Sequence, residues 1–183
     1  MTPGVGPRVV AVCASERHDF SKSTRLQIRL VEGLGIEGDA HAGATVQHLY
    51  DMRRDPNRPN LRQVHLLQSE LLDELATRGF EVRPGDLGEN ITTRGVDLLN
   101  LPRGTLLRIG PDATVEVTGL RSPCVKIDRF EPGLLAAVRD RVDGRYVGRT
   151  GVMGIVRAGG EIGPGDSIDI VLPPHPHEKL VPV

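Results

Sequence analysis

The 183-residue sequence contains no tryptophan, and aromatic residues make up only 3% of it. Aromatic side chains form the base-stacking platforms of many nucleic-acid-binding proteins, and positive charge attracts the phosphate backbone. Because this chain has few aromatics and a formal net charge of -1, we expect no nucleic-acid partner. With a hydrophobic fraction of 38%, its core must be built mainly from valine, leucine, isoleucine and alanine.

Long hydrophobic runs and cysteine pairs are also scarce. No apolar segment approaches the roughly 18 residues that a helix needs to cross a bilayer, and the first residues do not read as a secretion signal. The two cysteines, Cys13 and Cys124, form no CxxC pair and no cysteine–histidine spacing of a structural zinc site. We therefore expect a cytoplasmic protein with reduced thiols and no membrane partner.

Glycine and proline are abundant, with 22 and 14 residues, which is typical of short strands joined by tight turns. The patterns predict a mainly β fold, a β-barrel of mixed connections with a few short helices. They indicate a single domain over residues 1–183, with its core at about 8–172 and a proline-rich, extended tail at 173–183. Residues 51–60, with two prolines and two asparagines, are predicted to form an irregular surface excursion. The predicted strands are 8–14, 26–30, 64–67, 90–93, 106–109, 114–118, 152–156 and 167–172. The predicted helices are 69–78, with Ser69 as N-cap, and 134–141.

The first candidate site is Cys124, in the segment RSPCVK at residues 121–126, directly after a predicted strand. Arg121 and Lys126 flank the thiol, and nearby positive charge favours the thiolate. A thiolate attacks electrophiles, carries a persulfide or binds a soft metal. The alternative, a buried structural cysteine, fits Cys13 better, because that residue lies inside an apolar strand without an adjacent cation.

Two glycine-rich segments are further candidates. In GDAHAG, residues 38–43, Asp39 and His41 would share a face if the chain is extended, and could orient a ligand, relay protons or bind a metal. In PGDLGENITT, residues 84–93, successive backbone amides can form an anion-binding concavity. Each segment is also explained by an ordinary tight turn. No GxxxxGK[ST], GxSxG or HExxH motif occurs, which argues against the P-loop nucleotide-binding and hydrolase classes that use them.

Taken in order, these segments resemble the MOSC (molybdenum cofactor sulfurase C-terminal) domain family. The resemblance is carried by GIEGDAHAG at 35–43, PGDLGENITTRG at 84–95, LPRGTLLRIGPDATVEVTGLRSPCVKID at 101–128 and GVMGIVRAGGEIGPGD at 151–166. It implies a β-barrel related to the small barrel domain of pyruvate kinase. The chain is most similar in format to the small stand-alone bacterial members.

The resemblance also implies a chemistry. Family members that bind molybdenum cofactor (molybdopterin) use the cysteine that matches Cys124 to ligate molybdenum, and basic and polar side chains hold the pterin phosphate. Such members reduce N-hydroxylated compounds. We therefore predict an oxidoreductase with Cys124 as metal ligand and with Cys124, His41 and Asp39 as catalytic residues. The predicted cofactor contacts are Gly88, Glu89, Asn90, Thr92, Arg121, Ser122 and Lys126. In the sequence, no obvious basic cluster for the phosphate extends beyond Arg121 and Lys126.

Two alternatives stay open, although an enzyme is favoured. In one, Cys124 carries a persulfide taken from a cysteine desulfurase and delivers sulfur for cofactor or metal–sulfur assembly. Pyridoxal phosphate would then be involved only through that partner. In the other, the domain binds a small anion without catalysis. A reductase would act on a small-molecule substrate and, because no ferredoxin domain occurs in the sequence, would need a separate electron-donor protein.

Overall fold

Strands dominate the computed structural model, which describes residues 6–47 and 49–183, with residues 49–51 as backbone. In chain order the strands are β1 Arg8–Ala14, β2 Ser23–Arg25, β3 Ile28–Val31, β4 Gly35–Ile36, β5 Val64–Gln68, β6 Ile91–Arg94, β7 Leu106–Ile109, β8 Ala113–Leu120, β9 Arg139–Val142, β10 Arg145–Gly148, β11 Val152–Ala158, β12 Gly160–Ile162 and β13 Ile168–Val171. The helices are α1 Leu49–Arg54, α2 Ser69–Thr77, α3 Lys126–Phe130 and α4 Leu134–Ala137, with a 3-10 helix at Leu98–Asn100. The predicted mainly β fold class is confirmed.

An eight-stranded sheet forms the frame of the molecule, in the order β13-β7-β8-β11-β5-β6-β1-β2. Its neighbouring strands are antiparallel except β5 and β6, and a parallel pair needs a crossover connection, here supplied by α2. Alternation along β8 places Val115 and Val117 in the core, while Thr114 and Glu116 are partly exposed. A smaller sheet, β12-β3-β4, packs against the frame, and β9 and β10 form a separate hairpin.

The two ends of the large sheet approach each other. An isolated bridge joins Arg8 to Ser167, and the Ile168 amide donates a hydrogen bond to the Pro7 carbonyl oxygen at 2.9 Å. The Val9 amide donates to the carbonyl oxygen of residue 166 at 2.8 Å. The sheet therefore curls towards a barrel, but among the described residues no continuous ladder closes it.

Helix α2 carries a second apolar cluster on the outside of the sheet. Leu71, Leu72 and Leu75 are buried on one helix face, as their spacing predicts. Gln68 occupies the N-cap position rather than the predicted Ser69, which is the first helical residue. Gly79, at φ +87°, follows the helix end in the left-handed conformation that favours glycine. The cluster includes Leu87 and Ile127, so it anchors the segment that precedes β6 and the segment that follows β8 onto the sheet.

Three predictions from the sequence are wrong in detail. Residues 51–54 belong to α1 instead of an irregular segment, because the prolines and asparagines of the excursion all lie beyond the helix end. The helix predicted at 134–141 stops at Ala137, and β9 and β10 follow around an Asp143-Gly144 turn with positive φ at both residues. The strand predicted at 26–30 begins at Ile28, and Leu26 is 93% exposed.

The tail beyond β13 returns to the sheet. The Leu120 amide donates to the Val181 carbonyl oxygen at 2.8 Å, and the Val183 amide donates to the Leu120 carbonyl oxygen at 3.3 Å. Leu180 is buried. The tail thereby supports the end of β8, from which the Cys124 loop departs. Of the helices in the described part of the chain, none is long and apolar enough to cross a membrane.

Candidate functional site

A cavity of about 540 Å³ lies where the three glycine- and cysteine-bearing segments meet. Six of its described lining side chains are lysine or arginine, and one is acidic, Asp19. The cations are Lys22, Arg53, Arg58, Arg62, Arg121 and Lys126. Such an excess of positive charge in a concave, partly desolvated site favours an anionic ligand.

Cys124 lies in this cavity, on the loop between β8 and α3, and it is half-buried. A β-carbon added at Gly148 would lie 2.3 Å from the Pro123 ring, so the cysteine loop packs tightly against strand β10. The Arg139 Nη2 also donates to the Pro123 carbonyl oxygen at 3.4 Å. Cys13, in contrast, is fully buried, and burial raises the pKa of its thiol to about 12. The structure therefore separates an accessible thiol from an inert one, as predicted.

Arg121 is the cation most closely associated with Cys124. Burial lowers the pKa of its guanidinium, and the interaction with Cys124 opposes this effect by favouring the charged form. Its Nη1 is buried and has no hydrogen-bond partner among the described residues. Its backbone is fixed, because the Thr150 hydroxyl donates to the Arg121 carbonyl oxygen at 3.1 Å. An anion bound in the cavity would accept a hydrogen bond from this buried guanidinium nitrogen and so supply the missing partner.

Asp39 does not line the cavity but lies directly beneath it. Its Oδ2 accepts hydrogen bonds from Lys22 Nζ at 2.7 Å and Asn90 Nδ2 at 3.0 Å. Its Oδ1 accepts from the His41 amide at 3.0 Å and lies 3.2 Å from His41 Nδ1. Burial favours the neutral acid, but the hydrogen bonds from His41 and the positive charge of Lys22 outweigh it and hold the pKa of Asp39 well below its usual range. Asp39 is thus a buried, ionised carboxylate that positions other groups.

His41 is one of the groups that Asp39 positions. When Nδ1–H donates to Asp39, the other ring nitrogen, Nε2, is left to serve a ligand as donor or acceptor. The ring of His18 packs edge-on against it, with the ring centroids 5.0 Å apart. Burial, and then the nearby His41, lower the pKa of His18. Both histidines line the cavity.

His65 is the third histidine at the cavity, and it is buried. Its Nε2 lies 2.7 Å from the Thr150 carbonyl oxygen, so Nε2 carries the hydrogen and donates it. Burial and the charge of Arg121 lower its pKa to about 3. His65 is therefore a neutral hydrogen-bond donor that ties β5 to the chain preceding β11.

The turn PGDLGEN packs on the chain that leads to Lys22. Gly85 and Gly88 have φ values of +91° and +84°, and a β-carbon at Gly85 would lie 2.2 Å from the Lys22 carbonyl oxygen. Glu89 is buried under this turn, where its Oε1 accepts from the Gly85 amide at 2.7 Å and the Thr92 hydroxyl at 3.1 Å. Burial raises the pKa of Glu89, and its Oε2 has no partner among the described residues. Glu89 and Thr92 consequently stabilise the turn from the side that faces away from the cavity.

The structure therefore brings seven of the ten predicted site residues to the cavity and leaves Asp39, Glu89 and Thr92 behind it. Those at the cavity are His41, Gly88, Asn90, Arg121, Ser122, Cys124 and Lys126. Of the described basic residues that line the cavity, sequence reasoning did not select six, namely His18, Lys22, Arg53, Arg58, Arg62 and His65. The density of arginine in residues 53–62 was the available signal. The roles of the predicted residues stay predictions.

Comparison with known proteins decides the family. The model of the MOSC domain matches residues 40–169. The chain belongs to the MOSC domain family. This MOSC domain is similar in fold to the YuaD protein from Bacillus subtilis, with a TM-score of 0.72 and 23% identity over 90% of this chain and 94% of that one.

The domain is also similar to two YiiM structures. That from Geobacillus stearothermophilus gives a TM-score of 0.63 at 19% identity, covering 90% of this chain and 75% of that one. That from Escherichia coli gives 0.61 at 20% identity, covering 93% and 73%. At these identities the likeness shows the fold. No curated protein is significantly similar to the chain in sequence.

Proposed function

We propose that this MOSC domain binds molybdenum cofactor and reduces N-hydroxylated compounds, with Cys124 as the protein ligand to molybdenum. The observation that carries this proposal is the pairing of a half-buried thiol with a buried guanidinium. Arg121 lies beside Cys124, and its Nη1 lacks a partner within the described residues. Together the two side chains offer a soft ligand and an anion contact in one cavity.

The cavity suits a metal that arrives with a cofactor. The described residues contain no group of three or more histidine, cysteine, aspartate or glutamate side chains that could hold a metal ion. A metal at Cys124 therefore needs further ligands from the cofactor itself. The cluster of cations around the cavity matches the negative charge of a phosphorylated pterin.

The residues around Cys124 are suited to hold such an anion. Arg121 and Ser122 belong to the loop that carries Cys124, Lys126 is the first residue of α3, and all three line the cavity. The turn bearing Gly88 and Asn90, from another segment of the chain, also lines the cavity. The buried Glu89 holds the backbone of this turn by accepting a hydrogen bond from the Gly85 amide. These groups would fix the cofactor, which supplies the electron transfer when bound.

Reduction of an N-hydroxyl group to an amine consumes two electrons and two protons and releases water. In its protonated form His41 can deliver the proton on Nε2, because Asp39 accepts the hydrogen bond from Nδ1–H and leaves Nε2 for the cavity. Asp39 is in turn held by Lys22 and Asn90. We therefore assign His41 as the general acid and Asp39 as the residue that orients it.

The test is a reduction assay with cofactor-loaded protein, benzamidoxime as substrate and chemically reduced viologen as electron donor. Formation of benzamidine by the wild type, its loss in Cys124→Ser and a large decrease in His41→Gln are expected. Equal rates in the wild type and Cys124→Ser would refute the assignment of Cys124.

A persulfide carrier is the second candidate, and the same Arg121–Cys124 pair favours it, since a guanidinium stabilises a persulfide anion as it does a thiolate. Its test is mass spectrometry after incubation with a cysteine desulfurase and cysteine. A mass gain of one sulfur atom that disappears in Cys124→Ser would support this function. No gain, with molybdenum present in the purified protein, would favour the reductase.

A further inference from the structure

We propose that Arg53 and Arg58, which lie in the 51–60 excursion, complete a phosphate-binding subsite with Arg121 and Lys126. This inference rests on the proposed function in that the phosphate of the bound pterin is its first expected occupant. It assigns a role to a segment that the sequence left without one. It also supplies the basic groups that the sequence did not show near Cys124.

The excursion is fastened to the segment that carries His41. The Val46 amide donates to the Arg58 carbonyl oxygen at 2.9 Å, and Thr45 and Pro59 form an isolated bridge. At its end, the buried Asn60 side chain donates to the carbonyl oxygens of His41 at 3.0 Å and Gly43 at 2.9 Å. These contacts fix the base of the excursion against the cavity wall.

The excursion and the cysteine loop face the same space, although they are far apart in sequence. Arg53 and Arg58 line the cavity together with Arg121 and Lys126. Arg62, two residues beyond the excursion, also lines the cavity together with Arg121. Like charges brought together in this way repel each other, and an anion between them relieves the repulsion.

Several cations around one cavity suit a phosphate better than a carboxylate. A phosphate monoester carries close to two negative charges at neutral pH and presents three oxygens. Guanidinium groups bind such oxygens in pairs. The buried Arg121 Nη1 supplies a donor that no described residue occupies. The more exposed Arg53 and Arg58 can close on the outer oxygens once the ligand is present.

The experiment measures phosphate binding to the full chain, prepared without cofactor, through the rise in Tm with phosphate concentration at constant ionic strength set by chloride. Arg53→Gln and Arg58→Gln should each weaken phosphate binding about tenfold. Arg54→Gln is the matched control, because Arg54 is the neighbour of Arg53 on α1 and does not line the cavity. It should bind phosphate as the wild type does.

Equal phosphate affinity in all three variants would overturn the proposal, and so would a wild type that phosphate does not stabilise. Either result can be obtained without cofactor, so a failure of the subsite can be distinguished from a failure of the proposed function. If the wild type carries no pterin in a cofactor-producing host yet binds phosphate through Arg53 and Arg58, the subsite stands and the cofactor assignment fails.

A second measurement identifies the source of the phosphate. Pterin content is determined after purification from a cofactor-producing host and a high-salt wash. Lower content in Arg53→Gln and Arg58→Gln than in Arg54→Gln supports the subsite and assigns it to the cofactor phosphate. Unchanged content together with weakened phosphate binding supports the subsite and assigns it to a phosphorylated substrate.

Discussion

The Nζ of Lys22 lies 2.7 Å from Oδ2 of Asp39, and the two side chains are 4% and 1% exposed. This buried ion pair holds the carboxylate that in turn positions His41. It connects the chain before β2 to the GDAHAG segment, and Asn90 joins it from the start of β6. The cavity floor is therefore one polar network that holds three segments of the chain together.

Replacing Asp39 should be costly for stability. Asp39→Asn leaves the Lys22 ammonium buried without its counter-charge, and removing one partner of a buried pair typically costs about 3 kcal/mol or more. We expect a decrease of this size in the free energy of unfolding, measured by urea denaturation at pH 7. The control is Asp169→Asn on the exposed side of β13, which should change it by less than about 0.5 kcal/mol. A similarly small effect of Asp39→Asn would show that the pair contributes little.

Stability should depend on pH through His65. The folded protein holds its pKa at about 3 because the ring is buried, whereas the unfolded chain takes up a proton below about pH 6.5. The unfolded state thus binds more protons in this window, and stability falls as pH decreases, by up to about 1.4 kcal/mol per pH unit. Above pH 7 the contribution of His65 is constant.

The measurement is urea denaturation of the wild type and His65→Gln at several values between pH 4.5 and 7.5. The variant should show a shallower dependence below pH 6.5, whatever its overall loss of stability. His177→Gln, a change at an exposed tail residue, should retain the slope of the wild type. Parallel curves for the wild type and His65→Gln would mean that His65 is not buried in its neutral form.

Arg121 should control the reactivity of Cys124. Because Arg121 places a positive charge beside the reacting sulfur, we expect Arg121→Gln to slow alkylation of Cys124 by iodoacetamide at pH 7 severalfold. Rates are followed by mass spectrometry, and Cys13 provides an internal thiol that stays unmodified because it is buried. Arg108→Gln, which removes an exposed charge on β7, should react like the wild type. Identical rates for the two arginine variants would show that Arg121 does not influence the reactivity of Cys124.

The sequence was informative where structure depends on nearby residues. The hairpin of β7 and β8 was predicted, since its alternating residues and its turn are contiguous. The β9–β10 hairpin was missed because the apolar spacing from Leu134 to Val138 is helical for one turn and dominated the prediction. The Asp143-Gly144 pair was the local signal for that hairpin.

The composition of the cavity was less predictable because it depends on the tertiary fold. Cys124 could be selected from its flanking charges, and His41 from its spacing to Asp39. Nothing local indicates that Arg53 and Arg58 line the same cavity as Arg121. The positions of Glu89 and Thr92 behind the turn also follow from packing, since an extended segment does not reveal which of its polar groups face inward.

The central claim, that Cys124 ligates molybdenum, is tested most directly by the molybdenum and pterin content of protein produced in a molybdate-fed host with intact cofactor synthesis. We predict near-stoichiometric molybdenum in the wild type and in Cys13→Ala, the matched cysteine control, and none in Cys124→Ala. Full molybdenum content in Cys124→Ala, or none in the wild type, would contradict the claim, and the second result would direct attention to a persulfide on Cys124.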